Sequence, residues 1–281
     1  MRKIVIPTDF STHALNALHY ATELFKYERC EYFILHAYAD DVYHQNALYE
    51  RALFDEVKTN IENEVNKQFK LIEADLKDFS PNPRHSYKAI AKFGLLIDEV
   101  NDLVKEENID VVIMATKGKT NDRKLTYGSN ALQVLKYVEA PVLTIPAGFN
   151  YEAPRDILFA TDFMMPFKRR ELKLLCMLSK SYRGTINMLY LSPHEELSIR
   201  QQTNKEFLED CLENNKMVYH QQTGDDLLES INEFIPTNEI DLLVMVNSRH
   251  SYMESILYSS KIDKIELNIK IPFLVLQNFS R

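Results

Sequence analysis

A chain that carries the same strand-bearing segments twice has to fold as two similar units, because each segment sets the same local structure wherever it recurs. Lys3-Ile4-Val5-Ile6-Pro7-Thr8-Asp9-Phe10 and Asp156-Ile157-Leu158-Phe159-Ala160-Thr161-Asp162-Phe163 are both apolar runs ending in Thr-Asp-Phe, 153 positions apart. Ile109-Asp110-Val111-Val112-Ile113-Met114 matches Ile240-Asp241-Leu242-Leu243-Val244-Met245 at an offset of 131. Ala140-Pro141-Val142-Leu143-Thr144-Ile145 matches Ile271-Pro272-Phe273-Leu274-Val275-Leu276 at the same offset, and Gly94 matches Gly224 at 130. Four ordered matches identify a tandem duplication, and the shrinking offset makes the second copy shorter in its middle. The boundary reads near Ala147-Gly148-Phe149-Asn150, where Gly and Asn favour a turn and Pro154 follows. The units are therefore 1–147 and 151–281, each of ordinary domain size.

Within the first copy, strand and helix signals alternate. Ile4–Pro7 is a short apolar run of the kind that is buried on both faces of a sheet. Ser11 can cap a helix in which Ala14, Ala17, Leu18, Ala21, Leu24 and Phe25 share one face. A second strand is expected over Tyr32–Ala37. A long charged helix follows over Asn46–Lys77, with Leu48, Ala52, Leu53, Val57, Ile61 and Val65 at helical spacing; Ser80-Pro81-Asn82-Pro83 ends it. Its length leaves room for an outward interaction arm, although packing is the commoner use of such a stripe. Strands over Ser86–Lys92, Val111–Ala115 and Val142–Ile145 alternate with helices over Leu95–Glu107 and Asn130–Tyr137. This alternation predicts parallel strands with right-handed crossovers and helices on both sheet faces, a three-layer α/β sandwich.

Charge and cysteine usage narrow the function classes. Lys and Arg total 33 against 41 Asp and Glu, a net charge of −8. An acidic chain is poorly suited to neutralising nucleic-acid phosphates. Cys30, Cys176 and Cys211 are an odd number, far apart, as suits a reducing cytoplasm. The opening Met1-Arg2-Lys3 and its brief apolar run do not read as a signal peptide, and no stretch of about 18 apolar residues signals a membrane span. The expectation is a cytoplasmic protein with neither nucleic-acid nor membrane partners.

In open α/β sheets, ligands bind beyond the carboxyl ends of the strands where strand order reverses. Two loops fall there: Thr8-Asp9-Phe10-Ser11, and the stretch from Ala115 to Asn130. The chain has six glycines, and two of them, Gly118 and Gly128, lie in the second loop. Glycine lets backbone amides come close to a phosphate. Gly128-Ser129 opens a helix, where free amides and the dipole attract anions. Lys117, Lys119, Arg123 and Lys124 add positive charge to this loop. The plainer reading is two loop glycines in a solvated basic loop. Gly118-Lys119-Thr120 resembles the tail of a Walker A loop, but Ile113 stands where that motif needs its first glycine. His13 and His19 are six apart, not the three or four that place two metal ligands on one helix face, and the cysteines lack Cys-x-x-Cys spacing.

Gly118, the nine residues to Gly128, and Ser129 match the last three positions of the Gly-x2-Gly-x9-Gly-Ser/Thr signature of universal stress proteins. Together with Asp9, Leu35-His36-Ala37, Gly94, the Ile109–Met114 run and Ala140-Pro141-Val142-Leu143, they make the chain resemble a tandem universal stress protein of the UspA type. The resemblance implies two Rossmann-like sandwiches of the adenine nucleotide alpha hydrolase type. Each would have a parallel five-stranded sheet of order 3-2-1-4-5, and a pseudo-two-fold would relate them. It implies ATP or another adenine nucleotide, with Mg as an accompanying ion, held in the first unit by Asp9, Ala37, Ala115, Gly118, Gly128, Ser129 and Asn130. Asp9 would sit beside the nucleoside and Ala37 would meet the adenine through its backbone. The signature's first glycine is Ala115 here, whose methyl is expected to intrude on the ribose. In the second unit Val246, Arg249, Ser259 and Ser260 replace Ala115, Gly118, Gly128 and Ser129, so no nucleotide is expected there. The fifth strands, Val142–Ile145 and Phe273–Leu276, would pair antiparallel within the chain, and a further homodimer of whole chains stays open.

The function implied is a nucleotide-dependent signalling or protective module of the stress response, not a fast enzyme. No catalytic residue is assigned, because no general base is evident near a γ-phosphate. The alternatives are a nucleotide-free scaffold of the same fold and an ATP-pyrophosphatase-like or adenylating enzyme. The latter needs a glycine-bearing phosphate loop after the first strand, and Thr8-Asp9-Phe10-Ser11 has none.

Overall fold

The computed structural model describes residues 1–44, 51–118, 127–191, 196–222, 227–247 and 269–278. The first half runs β1 (Arg2–Pro7), α1 (Thr12–Leu24), β2 (Cys30–Ala37), α2 (Ala39–Tyr43), α3 (Arg51–Phe79), β3 (His85–Lys92), α4 (Leu96–Glu107), β4 (Val111–Ala115), α5 (Ser129–Tyr137) and β5 (Val142–Ile145). The second half runs β6 (Asp156–Thr161), α6 (Arg169–Tyr182), β7 (Thr185–Leu191), α7 (Ile199–Cys211), β8 (Lys216–Gln222), α8 (Leu227–Thr237), β9 (Leu242–Asn247) and β10 (Phe273–Gln277).

The alternation expected of the first half is present, with two differences. The stretch read as one helix from Asn46 contains α3 from Arg51 onward, while Asn46 and Leu48 lie outside the described residues. The five-residue α2 was not expected, being too short to show a period. Among the described residues each half keeps the expected strand order 3-2-1-4-5, and the two join through β5 and β10 into a single ten-stranded sheet of order β3-β2-β1-β4-β5-β10-β9-β6-β7-β8. Every pairing is parallel except that of β5 with β10, where Thr144 faces Phe273, Leu143 faces Leu274 and Val142 faces Val275.

The register of the second half repeats that of the first. β4 and β5 pair Val112 with Val142 and Ala115 with Ile145, and β9 and β10 pair Leu243 with Phe273 and Val246 with Leu276, each residue displaced by 131. Tyr32 on β2 corresponds to Ile186 on β7 (186 − 32 = 154), and Tyr87 on β3 to Met217 on β8 (217 − 87 = 130). The shortening therefore falls between the second and third strands of the second half, where the 13-residue α7 stands against the 29-residue α3.

Two apolar layers hold the sheet. One packs Ile4, Ile6, Ile113 and Ile145 against Leu18, Phe25 and Phe69 from α1 and α3, and continues to Leu172 and Leu175 of α6 and Leu208 of α7. The other packs Val5, Val112 and Val142 against Val104 of α4 and Val134 of α5, and continues to Ile231 of α8. Alternate strand residues feed opposite layers, as the two-residue period of a strand requires. Among the described residues, no helix is long and apolar enough to cross a membrane.

Candidate functional site

The carboxyl ends of β1 and β4 lie side by side, since Ile4 pairs with Val111 and Val5 with Val112. Their following connections diverge, toward α1 on one face and α5 on the other, which leaves a crevice where strand order reverses. A ladder of side-chain-to-backbone bonds shapes the β1–α1 loop. Thr8 Oγ1 accepts the N–H of Phe10 at 3.0 Å, Asp9 Oδ1 that of Ser11 at 3.0 Å, and Ser11 Oγ that of Ala14 at 3.1 Å. Ser11 is thus the N-cap expected of it. The ladder holds Phe10 at φ 63°, in the left-handed region that bulky residues rarely enter.

The ring of Phe10 is 4.7 Å from that of His36 and 5.3 Å from that of Phe69 on α3. His36 is buried at the end of β2, with Nδ1 2.7 Å from the Thr8 carbonyl oxygen and Nε2 3.1 Å from an Asp41 carboxylate oxygen. A cleft of about 500 Å³ opens between this cluster and α3, with Phe10, His36, Asp41, Glu64 and Gln68 among its walls. Of these, Phe10 and His36 belong to stretches that the sequence singled out near the site, and Asp41, Glu64 and Gln68 do not. Residues from a strand, a short helix and a distant long helix meet here only through packing, and no local spacing signals it.

The loop after β4 returns to the same place. Gly118 lies so close to Asp9 that a Cβ on it would overlap Asp9 Oδ2. Gly128 donates its N–H to the Thr116 carbonyl at 2.8 Å, tying the start of α5 to the end of β4. Gly128 has φ −74°, and a Cβ there would find its nearest neighbour, the Thr116 carbonyl, at 3.6 Å. Neither the backbone angle nor packing against the described residues therefore demands glycine at 128. Gly128 is the N-cap of α5 and makes no side-chain cap bond, and the first turn holds no acidic residue. Ser129 and Asn130 are exposed on that turn. Such a turn presents amides that lack intrahelical partners, together with the positive end of the helix dipole.

The structure brings Asp9 against Gly118 and sets Gly128 beside Thr116. Ala37 ends β2, one strand away from β1, opposite Lys92. Ala115 ends β4 but is buried, in the apolar layer with Ile113 and Ile145. Its methyl group lies in that layer, where strand alternation puts it. Lys117 is partly buried at the start of the loop, and Lys119, Arg123 and Lys124 lie outside the described residues.

The second half repeats the first turn. Thr161 Oγ1 accepts from the N–H of Phe163 at 3.0 Å, Asp162 Oδ1 from that of Met164 at 2.9 Å, and Phe163 stands at φ 55°. Asp162 thus caps its own turn. Burial pushes its carboxyl above the ordinary value, and the Met164 N–H opposes the shift. Tyr190 stands where the first half has His36, its ring 5.3 Å from that of Phe163. Val246, next to last in β9, stands where the first half has Ala115 and is buried in the same layer. Arg249, Ser259 and Ser260 lie outside the described residues.

Away from the crevice, His19 is held by Asp75 at 2.5 Å and stacked 3.8 Å from Phe79. Among the described residues, no cluster of three His, Cys, Asp or Glu could hold a metal ion.

A family model described as the universal stress protein family matches residues 1–146. A universal stress protein of Methanocaldococcus jannaschii is 24% identical over 152 residues, spanning 51% of this chain and 94% of that relative. The crystal structure of a universal stress protein from Archaeoglobus fulgidus covers 98% of this chain and 96% of its own, with a TM-score of 0.69 at 17% identity. That likeness is one of fold, and it runs the length of both chains.

Proposed function

The chain belongs to the universal stress protein family, and on that premise we propose that its first half binds an adenine nucleotide, ATP or a close relative, in the crevice between the β1–α1 loop and the start of α5. The observation that carries this reading is the convergence at one place of the Asp9 carboxylate, Gly118 and the uncapped first turn of α5 at Gly128. An acceptor beside exposed amides suits a ligand with a hydroxyl-bearing sugar at one end and phosphates at the other. Asp9 would accept from the sugar, the Ala37 backbone would meet the base, and the Gly118, Gly128, Ser129 and Asn130 amides with the Ser129 hydroxyl would take the phosphates. Ala115 supports the site from beneath, as the buried end of β4. Mg would enter as the nucleotide's own counter-ion.

The two halves, 1–147 and 151–281, act as tandem domains that pair through their fifth strands, the second holding no nucleotide. The protein works in the cytoplasm as a nucleotide-dependent signalling or protective module, not as a fast enzyme. Calorimetric titration with ATP and ADP, and mass spectrometry of the supernatant from the denatured protein, test the reading. One nucleotide per chain is the expected result. A chain that binds none is the nucleotide-free scaffold, two per chain would assign a site to the second half, and released pyrophosphate would make it an enzyme.

A further inference from the structure

α5 carries Gly128 and Ser129 at its first turn, and its other end is gripped by the opposite half of the chain. The helix stops at Val138, so the carbonyls of its last turn lose their helical partners. Tyr137 O receives the Asn101 amide of α4 at 3.1 Å. Leu135 O instead receives two amide donors from the second half, Gln277 Nε2 at 3.0 Å and Asn247 Nδ2 at 3.4 Å. Asn247 Nδ2 also donates to Gln277 Oε1 at 2.9 Å, so the two amides brace each other. Both residues are almost fully buried, with 2% and 5% of their surface exposed. Neither is a chance surface contact, since buried amides of this kind are costly without partners.

A second grip lies at the front of the helix. Tyr127, next to Gly128, is buried with its hydroxyl 3.4 Å from Thr144 Oγ1, and Thr144 Oγ1 donates to the Phe273 carbonyl of β10 at 3.3 Å. The antiparallel meeting of β5 and β10 explains both contacts. It puts the carboxyl ends of β9 and β10, where Asn247 and Gln277 stand, at the amino end of β5, which follows directly on the end of α5.

We propose that Asn247 and Gln277 of the second half are positioning residues for the nucleotide site of the first, clamping the far end of α5 so that its first turn is held still toward the phosphates. This inference rests on the nucleotide reading for its functional consequence, but the clamp itself can be measured without ligand. The second half, having none of the signature glycines of its own, thereby serves the first.

The experiment uses full-length chain carrying Gln277→Leu, and separately Gln277→Glu. Amide hydrogen exchange on the ligand-free protein is expected to quicken across α5, Ala131 and Leu132 included, while exchange in α1 and α4 is unchanged. ATP affinity should fall about tenfold, the change expected of roughly 1.4 kcal/mol, for a donor lost from a buried carbonyl. Gln277→Glu keeps the shape and the acceptor for Asn247 but has no donor for Leu135 O while ionised. Its α5 exchange, corrected for the intrinsic effect of pH, should return toward wild type as the pH is lowered and the carboxyl is protonated. A merely space-filling Gln277 would give no such profile. Unchanged α5 exchange in both variants overturns the clamp. Quickened exchange with unchanged ATP affinity overturns its positioning role. A wild-type chain that binds no ATP overturns the nucleotide reading, and the exchange data then decide the clamp alone.

Discussion

Phe10 and Phe163 occupy the same left-handed position in the two halves, and Asn108 and Glu239, 131 apart, occupy another. The residue scale thus repeats backbone conformations as well as residue types. The threonine and aspartate before each phenylalanine hold the turn, and aromatic packing covers the ring. Glycines 118 and 128 differ in what they resist. Gly118→Ala drives a methyl into the Asp9 carboxylate, which the Ser11 N–H holds in place, so it should lower the melting temperature as well as nucleotide affinity. Gly128→Ala meets only ordinary contacts, so stability should stay within about 0.5 kcal/mol while nucleotide affinity falls. Equal affinity in Gly128→Ala and wild type would remove the phosphate role of that turn. His85 makes a pH test. Its Nε2 lies 3.2 Å from the Phe25 carbonyl and its buried Nδ1 has no hydrogen-bond partner; burial pulls its pKa below 6.5. The unfolded chain then takes up the proton first, so stability is complete above pH 6.5 and declines as pH falls below it. Denaturant titrations at pH 7.5 and 5.5 should show that loss, and His85→Gln should reduce it.

At the scale of elements, α3 decides how the crevice is walled. It buries Val65, Phe69, Ile72 and Leu76, a stripe at helical spacing, and leaves most of its other residues exposed. Its first turns are partly anchored through Phe54 and Lys58, which pack on the ring of Phe93. The stripe fits a packed helix better than a free arm. Phe69→Ala should destabilise the chain by about 3–5 kcal/mol, because it leaves a cavity beneath Phe10. Leu71→Ala, at a residue 63% exposed, should change stability by no more than about 0.5 kcal/mol. Chemical denaturation of both variants checks the pair, and similar losses would mean that α3 is not held by this face.

For the whole molecule, the seam between β5 and β10 is the feature that makes one body of two halves. Val142, Leu143, Thr144, Phe273, Leu274 and Val275 are all at most 2% exposed. Cut at residue 147, the first half would present β5 as an apolar edge strand, with the Thr144 hydroxyl losing its acceptor Phe273 and the Leu135 carbonyl losing Gln277 and Asn247. Such an edge recruits another strand. Residues 1–147 alone should therefore dimerise or aggregate in sedimentation experiments, whereas the full chain needs no partner to cover these strands. A monomeric first half that unfolds cooperatively, independent of concentration, would contradict this.

What the sequence determined by itself is local or periodic. The duplication, the alternation of strands and helices, the Ser11 cap and the Thr-Asp-Phe turns all follow from residues within a few positions of one another, or from the same residues met twice. The candidate glycines were legible for the same reason, since Gly118 and Gly128 sit at a fixed spacing before a helix. Only the tertiary structure decided that the Ala115 methyl belongs to the core, that Phe10 and His36 meet α3, and that Gln277 and Asn247 reach Leu135 from 142 and 112 positions away. Contacts over such separations depend on how finished layers dock, and docking is set by the combined shape of many side chains, which no short stretch of sequence records.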